Sequence, residues 1–208
     1  WNDVLAGKNL CVAASCPKGY IYNTDTKTCY SCPGGHYQDV NGFKGDFCTP
    51  SAPGYYVKPT DKTKQTPCPA GEFTIGSQNS SCSKLPAGYW NNGCGTSDTG
   101  NVCSADYSGG LIAAGYYGGT GATSNTGSGK VNAGYYSTGG GTSATPTANG
   151  NGCVGNGQKC GLVDAGCFGD AGSRSSCPNS CRQETNTYFE YSDAGSTSIN
   201  DCYAKGTV

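Results

Sequence analysis

With 208 residues, 35 of them Gly, and only 35% apolar residues even with Cys and Tyr counted, the chain has too little aliphatic surface to offset the ordering entropy of one large core. Its 13 basic and 14 acidic residues leave a net charge of −1 without blocks, which excludes the electrostatic footprint of a nucleic-acid binder, and no apolar run approaches a membrane span. The compensating feature is 15 Cys, a density that marks a disulfide framework in an oxidising compartment, so the protein is expected outside the cell.

The first segment, residues 1–15, belongs to no repeat and reads as a joint to another subunit; the start at Trp1 and the absence of Met suit a processed mature chain. From residue 16 the chain repeats. Aligned on a shared Gly, seven units appear: CPKGYIY (16–22), CPGGHYQ (32–38), SAPGYYV (51–57), CPAGEFT (68–74), LPAGYWN (85–91), IAAGYYG (112–118) and VNAGYYS (131–137). Three residues before the Gly stand Cys16, Cys32, Ser51, Cys68, Leu85, Ile112 and Val131, a slot that accepts a half-cystine or an aliphatic side chain and therefore points inward. Two residues after it come Ile21, Tyr37, Tyr56, Phe73, Trp90, Tyr117 and Tyr136, aromatic in six of the seven. A Gly followed by β-preferring aromatics and then a polar stretch predicts a short strand leading into a turn, with the Gly at positive φ or under another backbone. No long stretch keeps a helical period, so little helix is expected and the fold class is all-β to irregular, built from small disulfide-stapled β-hairpin repeats.

The three units that open with Cys also close with one, which suggests the local pairs Cys16 with Cys29, Cys32 with Cys48, and Cys68 with Cys82. Loops of this size contribute roughly 3 kcal/mol each in the chain-entropy model. Residues 16–91 form the disulfide-bearing repeats, and 92–137 an insertion followed by degenerate repeats, with a bridge from Cys94 to Cys103 fitting across the insertion. The Gly, Ser and Thr composition of 138–152 reads as a linker, and six Cys within residues 153–208 as a second, separate module that shares the repeat only faintly in DAGCF (164–168). Fifteen is odd. Setting aside the four bridges leaves Cys11 and the six C-terminal cysteines, so Cys11 is the candidate for an intermolecular disulfide, unless its partner lies outside this chain.

The Cys-Pro-x-Gly-x-aromatic pattern closed by a second Cys, carried by Cys16 to Cys29, Cys32 to Cys48 and Cys68 to Cys82, resembles the ephrin-receptor-like cysteine-rich repeats common in large surface proteins of protists. It is also similar to the first half-module of tumour-necrosis-factor-receptor repeats. The resemblance covers about residues 11–91 well and 112–137 in degenerate form. It implies an elongated rod of stapled β units with a spacer, adhesive or receptor role and no catalysis.

Candidate chemistry is sparse. In the CxxC of Cys29 to Cys32 the repeat frame assigns each Cys to a different loop, and His36, the only His, has no second His or nucleophile beside it in the sequence. GNGCVG (150–155) and SNTGSGKV (124–131) imitate phosphate-binding loops without a preceding strand or the required end residues. The carboxylates are scattered over loops, so no catalytic residue, metal or cofactor is expected. Asn79-Ser80-Ser81 is the standard glycosylation acceptor, with weaker N-x-C triplets at Asn9, Asn92, Asn101, Asn151, Asn179 and Asn200, and the Ser and Thr of 119–147 suit O-glycans. The paired aromatics Tyr55-Tyr56, Tyr89-Trp90, Tyr116-Tyr117 and Tyr135-Tyr136 allow two arrangements: both rings buried locally, or one turned to solvent, a sugar or a second chain. The expected function is an extracellular structural protein, a subunit or segment of a glycosylated surface fibre, coat or appendage whose partners are copies of itself and covalent glycans. The alternative is a receptor or adhesin ectodomain segment binding a protein or glycan, and a small inhibitor-like scaffold is the third choice.

Overall fold

The computed structural model describes residues 15–104, 106–147, 152–184 and 190–204. Cys11 and almost all of the expected joint segment lie outside these residues. The chain divides into two compact units, one holding the residues up to Pro67 with Thr74–Cys82, the other Cys68–Phe73 with everything from Ser83 on.

The secondary structure is nearly all β and comes in eight antiparallel two-stranded hairpins among the described residues. They pair β1 (Tyr20–Asn23) with β2 (Thr28–Ser31), β3 (His36–Tyr37) with β4 (Thr49–Pro50), and β5 (Tyr55–Lys58) with β6 (Asp61–Pro67). They continue with β7 (Glu72–Phe73) and β8 (Ser83–Lys84), β9 (Tyr89–Asn91) and β10 (Gly109–Leu111), and β11 (Tyr116–Tyr117) and β12 (Gly129–Lys130). The last two join β13 (Tyr135–Ser137) to β14 (Cys160–Leu162) and β15 (Cys167–Phe168) to β16 (Asn179–Ser180). One helical turn, α1 (Cys181–Glu184), and a 3-10 turn at Ile199–Asp201 complete the described structure.

Each hairpin starts from the repeat Gly for a reason of turn chemistry. Ala113 carbonyl accepts from the Tyr116 N–H at 3.1 Å while Gly115 takes φ +80°, the positive value that the third residue of a type II turn demands. The same bond closes residues 17–20, 33–36, 52–55, 69–72, 132–135, 164–167 and 193–196. The last two lie where the sequence shows only a faint repeat, yet Gly166 and Gly195 adopt φ +82° and +83°.

The glycines also hold the hairpins to one another. In the second unit the Gly115 N–H donates to the carbonyl of Ser137 in the next repeat (2.8 Å), and the Val131 N–H of that repeat donates back to the Gly115 carbonyl (3.0 Å). The pattern recurs with Gly71, Asn91 and Leu85; with Gly88, Gly118 and Ile112; with Gly134, Gly169 and Val163; and with Gly166, Ser192 and Cys181. In the first unit Gly19, Gln38 and Cys32 repeat it. A further rung spans two repeats: the carbonyls of Leu85, Ile112, Val131 and Val163 accept from Gly121, Gly140, Gly172 and Gly195 at 2.8–2.9 Å. The approach is close enough that a β-carbon on Gly115 would lie 2.2 Å from the Gly172 carbonyl oxygen. Backbone amides therefore do much of the work that aliphatic packing does elsewhere.

Two expectations about organisation are corrected by this ladder. Residues 138–147 are no linker: they lie within the connection between β13 and β14, with Thr138 N–H bonded to Lys159 carbonyl, Asn132 N–H to Ala144 carbonyl, and Pro146 fully buried. Nor do residues 153–204 form a separate module, since Val163 occupies the buried slot of an eighth unit and bonds Gly134 of the unit before it. Composition misled because it counts side chains, whereas this segment is held by its main chain.

Candidate functional site

All fourteen cysteines among the described residues are disulfide-bonded. The structure joins Cys16 to Cys29, Cys32 to Cys48 and Cys94 to Cys103, with Cα atoms 5.6–5.8 Å apart, and it joins Cys153 to Cys160, Cys167 to Cys177 and Cys181 to Cys202. Cys68 and Cys82 are each in a disulfide as well. Cys29 and Cys32 are thus committed to different bridges. Disulfides at this density mark a secreted or extracellular cysteine-rich protein, and no helix among the described residues is long and apolar enough to cross a membrane.

In the six repeats from Cys32 to Ser137 burial follows a period of three, whereas the first repeat buries Ile21 in place of Tyr22. The slot residue, the Gly and the third residue after the Gly are the inward positions: Ile112, Gly115 and Gly118, or Val131, Gly134 and Ser137. The sequence reading missed that third position because it is often polar. Its side chains serve the ladder: Gln38 Oε1 accepts from the Gly19 N–H at 3.2 Å and Thr74 Oγ1 from the Gly54 N–H at 2.8 Å. Asn91 Oδ1 accepts from Gly71 and Gly93, while its amide donates to the Glu72 carbonyl. A short polar residue at a constant offset from each Gly was the available signal.

The aromatic stripe takes a course between the two expected arrangements. Tyr37, Tyr56, Phe73, Trp90, Tyr117 and Tyr136 are all half-buried, and so are Tyr55, Tyr89, Tyr116 and Tyr135 beside them. Their backbones carry a second role, since Phe73, Trp90, Tyr117 and Tyr136 each form a parallel bridge to the next repeat, at Gly95, Ala122, Gly141 and Ser173. Burial, reinforced by Asp164, pushes the Tyr136 hydroxyl above its ordinary pKa.

Asn79 is half-buried and bound into the first unit. Its N–H meets Ser51 Oγ at 2.8 Å, its carbonyl accepts from Val57, and its side-chain amide donates to the Gly76 carbonyl at 2.9 Å. A glycan on Asn79 would replace only that last, exposed bond. His36, half-buried in β3, has its Nδ1 3.0 Å from the Gly34 carbonyl oxygen.

Two open depressions stand out. In the first unit, Tyr30, Pro33, His36 and Phe47 surround one of about 400 Å³, and Phe47 is 72% exposed beside it. In the second unit, the hairpin of β9 and β10 floors another of about 480 Å³, walled by Thr99 and Asn101 on one side and by Gly155 and Asn156 on the other. Compared with known protein families and curated proteins, the chain matches none.

Proposed function

We propose that this chain is a non-catalytic structural protein, a subunit or segment of a glycosylated extracellular fibre, coat or appendage assembled from copies of itself. The observation that carries the reading is where the exposed apolar side chains fall. Among the described residues the large ones are Tyr20, Tyr30, Val40 and Phe47, then Tyr191, Ile199 and Tyr203, with Ile75 alone between. A chain that buries its apolar groups through the middle repeats and exposes them at residues 20–47 and 191–203 offers apolar surface for association with further copies. Repeats that bond mainly to their neighbours support the same reading, because an array of like units can be extended by a further copy.

Negative-stain electron microscopy of the native protein, beside reducing and non-reducing gels, tests it. Regular filaments are expected, with a covalent ladder that collapses on reduction and is absent in Cys11→Ser. Discrete monomers under both gel conditions would overturn the assembly and favour a receptor or adhesin segment, for which the depression beside Phe47 would serve as the contact with a different protein.

A further inference from the structure

The repeat length is interrupted by two long hairpin connections, residues 92–108 between β9 and β10 and residues 138–159 between β13 and β14; the first contains the Cys94 to Cys103 disulfide and the second is tied by Cys153 to Cys160 at the start of β14. They converge. Thr99 and Asn101 come from the first, Gly155 and Asn156 from the second, and together they wall the depression over Tyr89 and Leu111. Insertions in repeat proteins gather on the face that binds.

The lining has a distinct chemistry. No Asp, Glu, Lys or Arg contributes to it, so it suits an uncharged ligand. Asn101 and Asn156 are exposed, and their carboxamides make no hydrogen bond among the described residues, in contrast to Asn91, whose amide is consumed by the ladder. Each carboxamide offers a carbonyl acceptor and two N–H donors, the complement of a pair of neighbouring hydroxyls. Tyr89 supplies a half-buried ring against which the C–H face of a pyranose can rest, with its phenol free at the polar end. A β-carbon on Gly110 would meet nothing within 4 Å, so the floor is open to a close approach. A volume of about 480 Å³ falls within the range of small-molecule sites.

From this arrangement we infer that the depression is a binding site for a neutral carbohydrate, one or two pyranose units held by the Asn101 and Asn156 amides over the Tyr89 ring. The site stands independently of self-assembly, which is read from filaments and gels alone. The test uses the intact, oxidised chain and four probes, the methyl glycosides of glucose, galactose, mannose and N-acetylglucosamine, in saturation-transfer NMR at millimolar concentration. Transfer to at least one glycoside is expected, with affinity falling about tenfold in Asn101→Ala/Asn156→Ala through loss of two hydrogen bonds. Both substitutions are at exposed positions, so the fold is kept, which a disulfide map by non-reducing mass spectrometry checks. Asn156→Ala alone should give an intermediate affinity. No transfer from any of the four glycosides, or equal affinity in the double variant, would overturn the assignment.

Discussion

Residues 16–48 and residues 112–137 build the same hairpin from different materials. In the first stretch the slot residues Cys16 and Cys32 are tied covalently to Cys29 and Cys48. In the second no cystine is present, and Ile112 Cδ1 takes over the reach of the disulfide: β-carbons placed on Gly118 and Gly127 would come within 2.7 and 2.9 Å of its side chain. Gly127 precedes β12 by two residues, close to where Cys48 precedes β4. The aliphatic side chain thus fills the volume of a cystine and calls for a glycine opposite it. Val163 and Gly169 make the same exchange, with the Val163 methyl 2.9 Å from a β-carbon built on Gly169. The slot specifies volume, and the turn glycine with its two main-chain bonds specifies the stacking.

If that division is correct, the largest effect belongs to the glycine common to both stretches. Gly115→Ala should destabilise the second unit by about 4 kcal/mol, from a left-handed conformation and a collision with the Gly172 carbonyl together. Gly157→Ala, at φ +79° with open space around it, should cost about 1 kcal/mol; equal midpoint shifts in chemical denaturation would refute the ladder's role. Next in size is the disulfide. Removing it with Cys32→Ala/Cys48→Ala should cost about 3 kcal/mol in the first unit. In the fully reduced chain, hydrogen exchange should accelerate at the Cys32 amide well before the Ile112 and Val131 amides, and simultaneous loss would erase the contrast between the two stretches. A smaller effect tests the volume exchange. Gly118→Ala should cost about 2 kcal/mol through overpacking, and Ile112→Val should recover about half of it in the double variant, a coupling that a double-mutant cycle reads directly.

The smallest effect concerns the 3-10 turn Ile199–Asp201, none of whose residues is buried. Asp201 accepts from the N–H groups of Thr197 and Ser198, and these bonds hold its carboxyl below the ordinary value of 3.8. A lowered folded-state pKa gives stability that is present above the ordinary aspartate range and is lost as pH falls through the folded value. The Thr197 and Ser198 amide signals should therefore shift together with a midpoint below that of a free aspartate, and a midpoint at or above it would contradict the cap.

The hairpins of 16–91 were legible because Cys, Gly and an aromatic recur at nearly fixed spacing, and turn chemistry translates each of them into geometry. The continuation beyond residue 137 was harder to see. Val163 and Phe168 stand in the slot and aromatic positions around Gly166, but the long connection 138–159 stretches the interval and its Ser, Thr and Gly content imitates a linker. Main-chain bonds such as Val163 to Gly134 leave no trace in hydropathy. The Asn101 and Asn156 depression was invisible for another reason: those residues lie 55 positions apart, and only the folded chain brings the two connections to one depression.

A structure whose inward positions are mostly glycines, cystines and short polar side chains, with one aliphatic residue in only some of its slots, has an unusual thermal character. Exposing apolar surface raises the heat capacity of a protein and exposing peptide groups lowers it, and this ladder releases a large share of the latter when it opens. Its heat-capacity increment per residue should fall below the ordinary figure of about 12–15 cal/mol/K. The curve of stability against temperature would then be broad and shallow, so that warming and chilling both weaken the protein only gradually.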